Sequence, residues 1–139
     1  MQLPTCEITV NEVGQLKFRL DNQTDQSWYL FTWQTPFDAW FSEFITIRNQ
    51  ETDQKVIYQG ALAKRAMPNV DDYLTLPINS HQATSLDLTQ VYSLSEGSYD
   101  IHLKPLRLLP LDVDIALPLP SQPEQFVLVH CPSTQIRIR

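Results

Sequence analysis

The sequence predicts an all-β protein, an antiparallel sandwich of about 7–9 strands forming one domain over residues 1–139. Three observations lead there. Apolar residues recur with period two along most of the chain. Turn signals interrupt that pattern every ~8–12 residues. No stretch sustains the i, i+3, i+4 pattern of an amphipathic helix, apart from one short helical turn expected within 87–94.

The strands follow in order. Cys6 to Val10 alternates, and Gln15 to Leu20 sets Leu16, Phe18 and Leu20 on one face. Polar residues 21–26 read as a turn. Ser27 to Gln34 is almost continuously aromatic or β-branched, as a central strand should be. Thr35-Pro36-Phe37-Asp38 breaks it, because Pro fixes φ. Further strands are expected at Phe44–Arg48, Lys55–Tyr58, Tyr73–Leu76, Ser85–Leu88, Tyr99–Leu103, Phe126–Val129 and Gln135–Ile138. Asp71-Asp72 reads as a turn or cap. Ser95-Glu96-Gly97-Ser98-Tyr99 resembles the tyrosine corner of immunoglobulin-like sandwiches, in which the Tyr hydroxyl bonds upstream backbone. An ordinary core tyrosine on a hairpin is the alternative. Ile101 stands where such domains carry a cysteine, so the core there is expected to be apolar.

Composition removes several classes of function. Ten Lys and Arg against sixteen Asp and Glu give a net charge of −6 and a pI near 4.8. An acidic chain without a basic block is a poor ligand for nucleic acid or an anionic membrane. No apolar run reaches the ~20 residues of a membrane-spanning helix. His81, His102 and His130 lack ligand partners at metal-site spacing, and His102 is expected on a solvated strand face. Asp112 and Asp114 read as a solvated edge. The chain has no nucleophile elbow, and its three glycines cannot build a phosphate loop. His130 and Cys131 are strand neighbours pointing to opposite faces, which excludes a Cys–His pair. Neither a cofactor nor an enzymatic activity is expected.

Met1 to Glu7 shows no secretory signal pattern, so the expected location is the cytoplasm if Met1 is the native start, and the periplasm or exterior if it is not. Two readings of Cys6 and Cys131 stay open: buried thiols, favoured for a cytosolic protein, or a disulfide joining the terminal strands. Asn22-Gln23-Thr24 matches a glycosylation sequon but lacks secretory context.

The middle of the chain resembles a family. Trp33-Gln34-Thr35-Pro36-Phe37-Asp38 is similar to the Trp-Asn-Thr-Pro-Leu-Glu motif in the non-catalytic N-terminal domain of the deuterolysin and peptidyl-Lys metalloendopeptidase family. Tyr58-Gln59-Gly60, Lys64-Arg65 with Pro68, and the Asp87-Leu88 to Tyr99 close follow in the family's order, over about 70 residues. The resemblance implies an immunoglobulin-like sandwich and a propeptide-like or inhibitory role toward a protease. It does not imply protease activity, because no His-Glu-x-x-His is present.

Candidate partner contacts fall in three places. Phe37, Trp40 and Phe41 put aromatic surface at one turn. Lys64 and Arg65 are adjacent cations, read either as balancing Asp71 and Asp72 or as contacting a partner. A Pro/Leu-rich insertion at about 105–125 holds five of the ten prolines and offers Leu108, Leu109 and Leu111. Long loops are often functional, although this one equally reads as a flap covering a sheet edge. The expected function is a non-enzymatic protein-binding module, an inhibitor or propeptide-like regulator of a metalloendopeptidase. The alternative is an assembly module that pairs with itself or another protein through the insertion.

Overall fold

Alternation sets β2 (Gln15–Asn22) at the centre of its sheet: Leu16, Phe18, Leu20 and Asn22 are buried, and the residues between them face outward. β1 (Thr5–Val10) pairs with it on one side, and β6 (Ser80–Asp87) on the other, both antiparallel. A second sheet runs β10–β7–β4, with β7 (Gly97–Leu103) between β4 (Ile45–Asn49) and β10 (Thr134–Ile138). In both of these sheets the middle strand pairs antiparallel with both neighbours, as in antiparallel sandwiches. A third, four-stranded sheet runs β5 (Tyr73–Leu76), β3 (Trp28–Phe31), β8 (Leu106–Pro110), β9 (Val127–Val129). The computed structural model describes residues 2–65, 68, 70–111 and 126–139.

The protein is a β-sandwich, with ten strands among the described residues rather than 7–9. Inward faces of all three sheets meet in one core that includes Leu16, Phe18, Trp28, Leu30, Ile47, Ile101 and Leu108. The third sheet is apolar on both faces. Trp28, Leu30, Leu106 and Leu108 enter the main core, whereas Tyr29, Phe31, Tyr73 and Leu109 join Phe126 and Trp33 in a separate aromatic cluster.

Two expectations are corrected, and a third point, left open by the sequence, is decided. The segment 55–58 is no strand: Lys55 makes one isolated bridge to Arg48, and the chain then leaves the sheet. After the Val56 amide donates to the Ile47 carbonyl at 2.7 Å, Tyr58 folds over Gly60 and donates its hydroxyl to the Ala61 carbonyl at 2.7 Å. A Cβ at Gly60 would lie 2.3 Å from the Tyr58 hydroxyl oxygen, so this fold-back requires glycine. Second, the start of the supposed insertion is strand β8, so Leu108 and Leu109 are buried, not carried on an exposed loop. Pro110 closes the strand at its end, where proline costs little of the ladder. The rest of that insertion, 112–125, including Asp112 and Asp114, lies outside the described residues. Third, Cys6 and Cys131 form a disulfide, with Cα atoms 5.2 Å apart. Closing so long a loop (sequence separation 125) stabilises the fold by about 2–5 kcal/mol.

Other local readings hold. Tyr99 donates its hydroxyl to the Ser95 carbonyl at 2.8 Å, which is the tyrosine-corner contact. A helical turn spans Leu88–Gln90, capped by the Asp87 carboxylate on the Thr89 amide, and another spans Val70–Asp72. His102 is exposed. The sequon has a structural role. Asn22 is fully buried, its side-chain nitrogen 2.9–3.0 Å from the carbonyls of Gln26, Leu76 and Pro77. Its oxygen accepts from the Thr24 amide and hydroxyl, and Thr24 in turn accepts from the Trp28 indole. No helix among the described residues is long and apolar enough to cross a membrane.

Candidate functional site

Beyond β3 the chain turns sharply through Gln34 to Ser42. Thr35 starts the turn: its hydroxyl donates to the Thr32 carbonyl at 2.6 Å and accepts from the Phe37 amide at 3.3 Å. Pro36 occupies the first helical position, where its missing N–H costs nothing. Gln34 and Ala39 adopt positive φ, 60° and 51°, without being glycine. Such strain persists where the surroundings hold it, and it concentrates at functional sites.

The aromatic residues of this turn diverge. Phe37 packs edge-on against Phe18, with ring centroids 5.4 Å apart. Trp40 stacks on Phe44 at 5.1 Å and meets Tyr92 edge-on. Both therefore seal the end of the main core and are not free partner contacts. Phe41 is 54% exposed. The segment from Tyr58 to Arg65 runs beside it, tied by the Ala63 amide to the Phe41 carbonyl at 2.8 Å.

Arg65 comes back onto the turn. It donates to Asp38 at 2.8 Å, and its guanidinium lies 4.9 Å from the Trp33 ring centroid and 5.7 Å from that of Phe41. Arg107, from the outer face of β8, donates to the Trp33 carbonyl at 2.9 Å and sits 4.6 Å over the Phe31 ring. Burial lowers its pKa, with Tyr73 acting in the opposite direction. Trp33, Asp38, Phe41, Ser42, Arg65 and Arg107 wall a cavity of about 240 Å³.

Unpartnered polar atoms single out this place. Buried side-chain atoms without a hydrogen bond among the described residues are Trp33 Nε1, Asp38 Oδ2, Trp40 Nε1, Ser42 Oγ and Glu43 Oε1. The last lies 2.9 Å from Lys55 Nζ, and that ion pair satisfies it. The other four fall within ten consecutive residues, 33–42, and three of them belong to cavity walls. Folded proteins seldom leave such atoms unpaired, so a cluster of them needs a reason. A larger hollow, about 370 Å³, lies on the outer face of β1–β2–β6 between Glu7, Lys17 and Arg19. Its charged side chains are solvated and it has no orphan polar atom, so it lacks that signature.

Of the residues expected from sequence, Phe41 and Arg65 meet at the site. Lys64 is exposed beside it. Leu108 and Leu109 are buried elsewhere, and Leu111, 36% exposed, follows β8 with its amide on the Ser27 carbonyl. Arg107, Ser42 and Asp38 were not among the expected contacts. A signal for Arg107 existed: Leu106-Arg107-Leu108 alternates as a strand, which places the arginine on the face opposite the leucines. No cluster of three or more potential metal ligands occurs among the described residues.

No protein-family model matches the chain, and no curated protein matches it. Among solved structures it is similar to one described as the X-ray structure of Northeast Structural Genomics Consortium target SoR45. The match has a TM-score of 0.50 at 10% sequence identity and covers 98% of this chain and 84% of that one. At that identity the likeness concerns the fold alone.

Proposed function

We propose that this chain is a non-catalytic protein-binding module that engages its partner through the 33–42 turn and the adjoining 58–65 segment. The observation that carries this reading is the cluster of three unpartnered buried polar atoms in the cavity walls, Trp33 Nε1, Asp38 Oδ2 and Ser42 Oγ, set beside exposed apolar groups. Phe41, 54% exposed, belongs to the cavity wall, and Leu62, 71% exposed, immediately precedes the wall residue Ala63. Exposed aromatic and aliphatic groups around a few polar anchors are the composition of a protein-interface core. The partner class favoured by the motif resemblance is a metalloendopeptidase, which the module would inhibit or restrain as a propeptide does. Assembly through residues 105–125 is the weaker reading, because Leu108 and Leu109 already serve the sandwich.

The test is direct. The purified protein is titrated against a panel of zinc endopeptidases, reading both binding and residual activity. The double variant Phe41→Ala/Leu62→Ala serves as control, since both side chains are largely exposed. Binding to at least one protease, weakened about tenfold or more by the double variant, is the expected result. Absence of binding across the panel removes the protease as partner. Binding unaffected by the double variant removes the proposed surface.

A further inference from the structure

We infer that the cavity between Trp33 and Phe41 receives the carboxylate side chain of a Glu or Asp from the partner's polypeptide; this rests on the binding reading above and names the residue it reads. Its charge is the first reason. Among the described residues its walls carry two guanidiniums, Arg65 and Arg107, and one carboxylate, Asp38, in a chain whose net charge is −6. A local cationic excess here opposes the overall trend and complements an acidic group. Hydrogen-bonding capacity is the second. Among the described residues, Trp33 Nε1 and Ser42 Oγ offer donors without acceptors, while Asp38 Oδ2 accepts nothing. A carboxylate answers the donors, and a peptide N–H next to it answers Asp38. Size is the third. About 240 Å³ is below the range of cofactor and drug-sized pockets, and suits one side chain. Finally, Phe41 in the cavity wall and Leu62, next to the wall residue Ala63, are exposed apolar groups that residues flanking the acid would meet, which favours an internal side chain over a chain terminus.

A random heptapeptide library, anchored at its C-terminus so that only side-chain carboxylates are available, is selected on the immobilised full chain. A second library with free C-termini is selected in parallel. The expected outcome is enrichment, in the anchored library, of one Glu or Asp flanked by apolar residues. Replacing that acid by Gln or Asn in a selected peptide should weaken binding at least tenfold. Arg65→Gln/Asp38→Asn, which removes the ion pair as a unit, should do the same. Ser42→Ala should weaken binding in a protein that melts no lower than the parent does, which separates recognition from folding. Peptides that bind through Phe41 and Leu62 without an acid overturn this inference and leave the binding surface standing. Enrichment of free C-termini alone assigns the cavity to a terminal carboxylate and likewise overturns it. Failure to enrich any peptide, or binding indifferent to every substitution, overturns both readings.

Discussion

Trp28 and Trp33 stand five residues apart on and just beyond the same strand, and they live in opposite circumstances. Trp28 is fully buried in the main core, and its indole donates to Thr24 at 3.0 Å. Trp33 lies on the other side of the sheet, half-buried between Phe31 and Arg65, and its indole has no acceptor. The contrast extends to their surroundings. In the main core the polar tips are used: Tyr92 donates to the Ile45 carbonyl, Tyr99 to Ser95, and Asn22 ties three carbonyls. In the 33–42 turn Thr35 is paired and Asp38 is half-paired, but among the described residues Trp33 Nε1, Asp38 Oδ2 and Ser42 Oγ at the cavity, and Trp40 Nε1 at the edge of the core, have no partner. A core optimised for folding pairs its polar atoms, because each orphan costs about 1–3 kcal/mol. A surface that carries orphans has given up that stability, and a partner that supplies the missing groups recovers it on binding.

The largest test of this contrast is the same substitution at the two sites. Trp28→Phe leaves a void and strips Thr24 of its donor, so it should cost about 2–4 kcal/mol in denaturant unfolding. Trp33→Phe removes an indole N–H that bonds nothing, and should cost less than about 1 kcal/mol. Equal costs would mean that the outer cluster is as integral to folding as the core.

The next test is alkaline pH. Burial holds the Tyr92 hydroxyl well above its ordinary pKa of 10.0, with Glu43 and Tyr58 adding to the rise. The folded state therefore keeps a proton that the unfolded chain loses. Stability is full below pH 10 and falls above it, by about 1.4 kcal/mol per pH unit for one such group. Tyr73, in the outer cluster, is also raised by burial, but Arg107 pulls it back. Tyr92→Phe should flatten the alkaline limb of a stability profile more than Tyr73→Phe. The reverse order would place the stronger burial in the outer cluster.

The smallest effect is the most diagnostic. Ser42→Ala deletes an unpartnered hydroxyl and should raise stability by about 1 kcal/mol, the low end of an orphan's cost. Thr24→Val, which leaves the Trp28 indole unpaired, should cost about 1–3 kcal/mol by the same measurement. If both cost alike, Ser42 has a partner in solution and the contrast between the regions narrows.

The sequence alone determined which residues face inward on most strands. Leu16, Phe18 and Leu20 on β2, and Tyr99, Ile101 and Leu103 on β7, follow from period two, because the pleat turns alternate side chains to opposite faces. The tyrosine corner and the Thr35-Pro36 turn were likewise legible, since each is made by residues close in sequence. What periodicity cannot state is which sheet a strand joins, or whether its second face is covered. Leu106 to Pro110 therefore read as a loop, although it is an interior strand with apolar groups on both sides. The same limit left Cys6 and Cys131 undecided, because their pairing depends on two chain ends meeting across the fold. It also split the aromatic turn. Phe37 and Trp40 are core and Phe41 is surface, a division set by a 3-10 turn with positive φ at Ala39 that no alternation rule predicts. Phe41 and Arg65 were legible as candidate contacts, but their assembly into one site belongs to the tertiary structure. Arg65 and Arg107 arrive from distant segments, and only packing two separate chain segments against Trp33 creates an excess of donors that no residue carries alone.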